Sequence, residues 1–224
     1  MKPVFKPAMP RRGQEEYCDS IQNNEITICT GRAGTGKTYL ALSAAIEMLY
    51  QNGTGIHKIV IIRPYIPTNI GEKVGALPGT LNEKVLPYVE GVKDNLREMI
   101  SDEGEINTLI NTKFEFAVLG TCRGRSFNNA FIIVEEAQNV PLDGGGMIML
   151  LTRLGKKSRM IIAGDIDQCD IPSHESALPH AINVLDGLKG VGIIDMSDVR
   201  IIQRNPLIGQ ILMRYEEDAK LNNG

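Results

Sequence analysis

Eight residues near the N-terminus have the types and spacing to hold a phosphate chain: Gly31-Arg32-Ala33-Gly34-Thr35-Gly36-Lys37-Thr38. They satisfy the pattern G-x-x-x-x-G-K-[ST], which chance places in roughly one chain in a hundred of this length at average residue frequencies. The glycines let consecutive backbone N–H groups curl around an anion, and the helix that must follow adds its positive end. A lysine at position 37 would reach the β- and γ-phosphates, and a hydroxyl at Thr38 would ligate Mg²⁺. The alternative is a glycine-rich turn that holds nothing.

Such a loop needs carboxylates to complete its metal and to activate water. Glu135 and Glu136 follow the apolar run Phe131-Ile132-Ile133-Val134, at a strand end where open α/β sheets place their sites. On this reading Glu135 holds Mg²⁺, directly or through water, and Glu136 polarises the attacking water; otherwise the pair caps the next helix. A third strand-end cluster, Gly164-Asp165-Ile166-Asp167-Gln168, puts Gln168 where a glutamine can sense the γ-phosphate and orient water. Taken alone, a Gly-Asp turn is common.

Basic residues fall into three groups. Arg123-Gly124-Arg125, beside Asn128 and Asn129, suits a nucleic-acid backbone or else a solvated turn. Arg63-Pro64 closes a strand and faces either a nucleic-acid groove or a structural carboxylate. Arg204, near the C-terminus, could complete a γ-phosphate site or be an ordinary surface arginine.

The elements that would position these groups are legible. Glu25 to Thr30 reads as a strand entering the glycine loop. Thr38 to Tyr50 is apolar at helical spacing and ends at Asn52-Gly53. Lys58 to Ile62, Phe131 to Val134 and Met160 to Ala163 are continuous β-branched runs, as strands buried on both faces are. Phe114 to Leu119 and Val191 to Ile194 are further candidates. Helical segments are expected at Gln14 to Gln22, Asn82 to Ile100, Gly146 to Leu154 and Leu207 to Leu221. Strands alternating with helices predict a P-loop α/β fold, a mainly parallel sheet with helices on both faces. Pro64 to Gly79 reads as a long functional loop, and residues 1–13 as a flexible arm before a domain over 14–224.

Composition narrows the class. With 224 residues, 42% of them hydrophobic, one α/β domain is expected. A net charge of −3 excludes a bulk basic field, so any nucleic-acid site must be a local patch. Cys18, Cys29, Cys122 and Cys169 form no C-x-x-C pair, and His57, His174 and His180 have no metal-ligand spacing; reduced thiols in a cytoplasmic protein are expected. The N-terminal dozen residues lack a signal peptide's apolar stretch, and no run approaches the ~18 apolar residues of a membrane span.

Together the motifs resemble the PhoH family of phosphate-starvation-inducible P-loop ATPases, from Gln14 to about Glu216. The markers are Gln14-Glu15-Glu16-Tyr17, Gly31 to Thr38, Arg63-Pro64, Leu77-Pro78-Gly79, Glu83-Lys84-Val85, Pro87-Tyr88, Arg123-Gly124-Arg125, Glu136-Ala137-Gln138-Asn139, Leu151 to Gly155, Gly164-Asp165 with Gln168, and Arg204. The resemblance implies a fold similar to the first motor domain of superfamily 1 helicases and an ATPase acting on RNA or single-stranded DNA. It also implies adenine recognition by Gln14, hence ATP over GTP, and a ring of six subunits with Arg204 serving a neighbour's site. An ATPase chaperone or assembly factor without translocation is the rival enzyme, and an ATP-sensing module the rival non-enzyme. Two positions depart from the family pattern. Glu135 stands where aspartate is usual, which adds a methylene at the metal. Arg204-Asn205-Pro206 stands where the arginine usually precedes His-Pro. Some relatives carry an RNA-cleaving PIN domain in front; the short stretch before the P-loop leads us to expect the form without it.

Overall fold

The β-branched runs all form strands, and the strands pair into one sheet. In the computed structural model the described residues are 3–11, 13–64 and 81–198, with Leu207, Gln210, Ile211, Arg214, Tyr215 and Asp218; for 81–87 only the backbone is described. The strands are β1 (Ile26–Gly31), β2 (Lys58–Arg63), β3 (Phe114–Val118), β4 (Ala130–Val134), β5 (Arg159–Gly164) and β6 (Val191–Met196). Their order across the sheet is β3-β2-β4-β5-β1-β6, and every pairing is parallel.

Strand periodicity divides the core in two. Cys29, Ile59, Ile61, Phe131, Ile133 and Ile161 enter one buried cluster. Their neighbours Ile28, Val60, Ile62, Ile132, Val134, Met160 and Ile162 enter the other, as alternate residues of a strand must. The helices are α1 (Glu15–Asn23), α2 (Lys37–Tyr50), α3 (Leu81–Arg97), α4 (Glu103–Lys113), α5 (Gly146–Leu151) and α6 (Ala177–Leu185). Residues of α1 to α4 pack into the first cluster, and residues of α5 and α6 into the second. Connections running from β1 toward β2 and β3 thus lie on one face and those running back toward β5 and β6 on the other, as a constant crossover hand requires. Chains leave the neighbouring strands β1 and β5 in opposite directions, so a crevice opens at their carboxyl ends.

Two helices were not expected. In α4, Ile106, Leu109 and Ile110 are buried at helical spacing, and Asp102 accepts a capping bond from Glu105 N–H at 2.7 Å. Gly104 and two asparagines dilute that pattern. In α6, Pro179 looks like a breaker, but it lies in the first turn, where a backbone N–H has no helical partner anyway. At the C-terminus the six described residues from Leu207 to Asp218 that fall in the expected helix are helical and exposed. The expected loop at Pro64 to Gly79 lies, after Pro64, outside the described residues, as does Arg204.

Residues 3–11 differ from the flexible arm expected of them. Phe5 bridges Ile100, Lys6 N–H donates to Met99 O at 2.9 Å, and Ala8 N–H donates to Ser43 Oγ at 2.8 Å. Three prolines hold this stretch extended, which suits it to lie across other elements. Among the described residues no helix is long and apolar enough to cross a membrane.

Candidate nucleotide site at the carboxyl edge of the sheet

The glycine-rich loop joins β1 to α2. Gly31 packs so closely on β6 that a Cβ there would stand 2.5 Å from Met196 O. Gly36, at φ +91°, is the N-cap of α2 in the left-handed region and leaves the first helical N–H groups without a side-chain cap. Lys37 Nζ bonds back to the carbonyls of Gly31 and Arg32, the latter at 2.9 Å. Thr35, buried, donates from Oγ1 to Arg32 O at 2.8 Å, and Thr38 is half-buried in the first turn of α2.

Neighbouring elements brace the loop. Gln14 Nε2 donates to Thr35 O at 2.8 Å while its Oε1 accepts from Arg11 N–H at 2.9 Å. These two partners orient the amide, and each amide atom keeps capacity for one more bond. Tyr17 Oη donates to Lys37 O at 3.2 Å. From β5, Asp165 Oδ2 accepts from Ala33 N–H at 3.0 Å, and Oδ1 accepts from Asp167 N–H at 3.1 Å. Burial raises the Asp165 pKa, opposed by the Asp167 N–H, the Lys37 charge and the Ala33 N–H.

The paired carboxylates take different surroundings. Glu135 has a side chain only 6% exposed, and its Oε2 accepts from Arg63 Nε at 2.9 Å. Glu136 is 49% exposed and lies 3.8 Å from the same guanidinium. It adopts φ +52°, a left-handed conformation that is strained for a side-chain-bearing residue and is often found at functional sites. Arg63 also stacks on Tyr88, 4.9 Å from the ring centroid. Arg63 thus has a carboxylate partner in Glu135.

One residue links these strand ends. Gln138 is 1% exposed. Its Nε2 donates to Glu136 Oε2 at 2.8 Å and to Gln168 O at 3.1 Å, and its Oε1 accepts from Asp165 N–H at 3.0 Å. Asn139 adds a reciprocal pair with Asp170, both bonds at 2.8 Å. Gly164 makes room: a Cβ there would lie 2.6 Å from Leu178 Cδ2 and 3.0 Å from Gln138 Oε1. Gln168 presents an exposed side chain at the end of this network. Sequence reading quoted Gln138 without a role, because nothing local distinguishes a hub amide from any other glutamine.

Two stability predictions follow from this packing. Gln138→Leu keeps the size but leaves the buried Asp165 N–H without an acceptor, so it should cost about 1–3 kcal/mol in urea unfolding. Gly164→Ala should cost a similar ~1–3 kcal/mol through overpacking. Wild-type unfolding midpoints in these variants would contradict the network.

The sheet edge therefore gathers Gly31 to Thr38, Gln14, Arg63, Glu135, Glu136, Asp165 and Gln168. It does not gather Arg125. Arg125 pairs with Glu115 near the start of β3 and stacks on Phe127 at 4.6 Å, toward the amino ends of the strands. Among the described residues no cluster of three His, Cys, Asp or Glu could cage a metal. Mg²⁺ would keep several waters and take few protein ligands beside phosphate oxygens. Thr38 Oγ1 and Glu135 Oε1 are the oxygens that could hold it, since Oε2 of Glu135 goes to Arg63.

A glycine loop from the second-to-last strand of a six-stranded parallel sheet into an uncapped helix, with acidic strand ends beside it, defines a P-loop NTPase-like α/β domain. The sequence model for "PhoH-like protein" matches residues 8–216, and the chain belongs to that family. Similar curated proteins include the PhoH-like proteins of Synechocystis sp., 39% identical over 91% of this chain and 60% of that protein, and of Bacillus subtilis, 38% identical over 92% and 62%. Protein PhoH of Escherichia coli is 35% identical over 81% of this chain and 50% of its own length. The chain thus spans about half to three fifths of the relatives it matches.

Proposed function

We propose that this chain binds ATP with Mg²⁺ and hydrolyses it, as a motor that acts on RNA or single-stranded DNA. The observation that carries the reading is the bonded path from the P-loop through Asp165 and Gln138 to Glu136, which joins the phosphate cradle to the general base.

Roles follow from position. The α2 N-terminus and the loop N–H groups bind the phosphates, and Lys37 turns its charge toward the β- and γ-phosphates. Mg²⁺, held by Thr38 and Glu135, would supply charge neutralisation between those phosphates. Arg63 holds Glu135 oriented through its bond to Oε2. Glu136, the more exposed carboxylate, takes the proton of the attacking water, and Gln168 orients that water. Gln14 braces the loop at Thr35 and offers its remaining bonding capacity to adenine.

A neighbouring subunit could cover the nucleotide edge. We therefore place the working protein in a ring, six-membered by family resemblance, with Arg204 of one subunit at the site of the next. Head-to-tail contacts close in this way when the rotation allows. The test is ATP turnover with and without single-stranded RNA and DNA, run beside a solution mass measurement. Stimulation by nucleic acid in an oligomer supports the motor. Turnover indifferent to nucleic acid points to an ATPase without translocation, and no turnover to a binding module.

A further inference from the structure

At the opposite end of the sheet lies a second charged surface that the nucleotide site does not use. Lys58 opens β2 and Lys113 immediately precedes β3, beside Lys58 in the strand register. Arg125 approaches β4, and Arg153, Lys156 and Lys157 approach β5. Among the described residues the one acidic partner of these six cations is Glu115. It accepts from Lys58 Nζ at 2.7 Å and pairs with Arg125, and burial of its carboxyl is outweighed by these two cations, which lower its pKa. Lys113, Lys156 and Lys157 make no ion pair with a described residue. A chain of net charge −3 thus sets six of its 24 lysines and arginines at one end of the sheet.

The surface is preorganised. Phe127, buried, supports both Lys58 and Arg125, with ring centroids 5.6 and 4.6 Å from their charged groups. Three loops are bonded together around it. Arg153 donates from Nη1 to Arg125 O at 2.7 Å, and Phe127 N–H donates to Arg153 O at 2.9 Å. Lys156 N–H donates to Asn128 Oδ1 at 2.9 Å, and Asn129 N–H to Lys156 O at 2.9 Å. His57 N–H donates to Asn129 O at 2.8 Å, which adds the third loop. Gly155 is required for this contact, since a Cβ there would stand 2.5 Å from Phe127 O. A solvated charged face needs no such bracing.

From this we infer a docking surface for the phosphate backbone of single-stranded nucleic acid at the amino ends of β3, β2, β4 and β5. The inference rests on the nucleic-acid reading above and locates the contact away from the ATP edge. Four adjacent strand starts at about 4.8 Å spacing make a row of roughly 14 Å, the span of a few phosphates along one strand. The aromatic ring of the cluster, Phe127, is buried, so bases have no platform there and the contact is indifferent to sequence. Asn128, exposed beside the cations, can donate to a phosphate oxygen.

The test uses fluorescein-labelled U15 and dT15 oligomers, followed by anisotropy across a salt series without ATP. The variant combines Lys113→Gln, Lys156→Gln and Lys157→Asn; asparagine suits position 157 because its φ is +53°. Removing three phosphate contacts should flatten the slope of log K against log salt by about 2 and weaken binding at least tenfold at low salt. Basal ATP turnover should be unchanged. Wild-type binding with an unchanged slope in the variant would overturn the surface and leave the motor reading intact. Failure of the wild-type chain to bind either oligomer would overturn both. Equal or tighter binding of a duplex, or of polyglutamate, would assign the surface to a different partner and overturn the inference.

Discussion

Lys37→Ala is expected to reduce ATP turnover to background and to weaken ATP binding as well. The ammonium is bonded to the loop's own backbone, at Gly31 and Arg32. It is thereby held at the place where the β- and γ-phosphates would lie. Removing one preorganised donor from a site of developing negative charge typically costs on the order of 10²–10³ in rate. Binding should weaken as well, because charge-assisted hydrogen bonds contribute roughly 1.5–3 kcal/mol each. Phosphate release and fluorescent-nucleotide binding by the purified variant measure the two losses. The unfolding midpoint should stay close to wild type, since Lys37 is half-buried and outside both core clusters. Steady-state turnover near wild type would remove Lys37 from the chemistry.

Glu136→Gln should bind ATP normally and fail to hydrolyse it. The amide keeps the size, and its oxygen can still accept the bond from Gln138 Nε2. What it loses is the capacity to take a proton, which general-base removal places at about 10²–10⁴ in rate. Glu135→Gln should behave differently. Its carboxylate is buried against Arg63, so the change leaves that guanidinium short of its charged partner and should lower stability along with activity. Rapid quench of a single turnover, with nucleotide binding measured alongside, separates the two. Blocked chemistry in Glu135→Gln with normal chemistry in Glu136→Gln would reverse the assignment.

Much of this site was legible because its residues terminate apolar runs. The uninterrupted apolar run from Phe131 to Val134 is short and β-branched, as a buried strand is, and two carboxylates directly after such a strand emerge at its end. The same logic locates Arg63 after Ile62 and Asp165 after Gly164. Strand order was not legible, since a run of β-branched residues carries no label for its neighbours. The placement of β5 between β1 and β4, which sets Asp165 against Ala33, therefore came only from the fold. Gln138 escaped for a related reason: two of its partners lie 27 and 30 residues away.

For Arg125 it was the end of the sheet that was not legible. Two arginines around a glycine suggest a phosphate contact, but nothing local says which end of the sheet they reach. Glu115 and Phe127, ten and two residues away, hold Arg125 at the amino ends. The contacts of the N-terminal arm were not legible because its prolines and cations resemble a solvated tail. Its anchors, Met99, Ile100 and Ser43, belong to segments distant in sequence.

The most direct measurement is steady-state phosphate release from ATP by the purified wild-type chain, with Mg²⁺ and with Mg²⁺ chelated. The account predicts release that requires Mg²⁺, saturates with ATP and rises when single-stranded RNA is added. A folded chain that binds ATP but releases no phosphate under any of these conditions would contradict it.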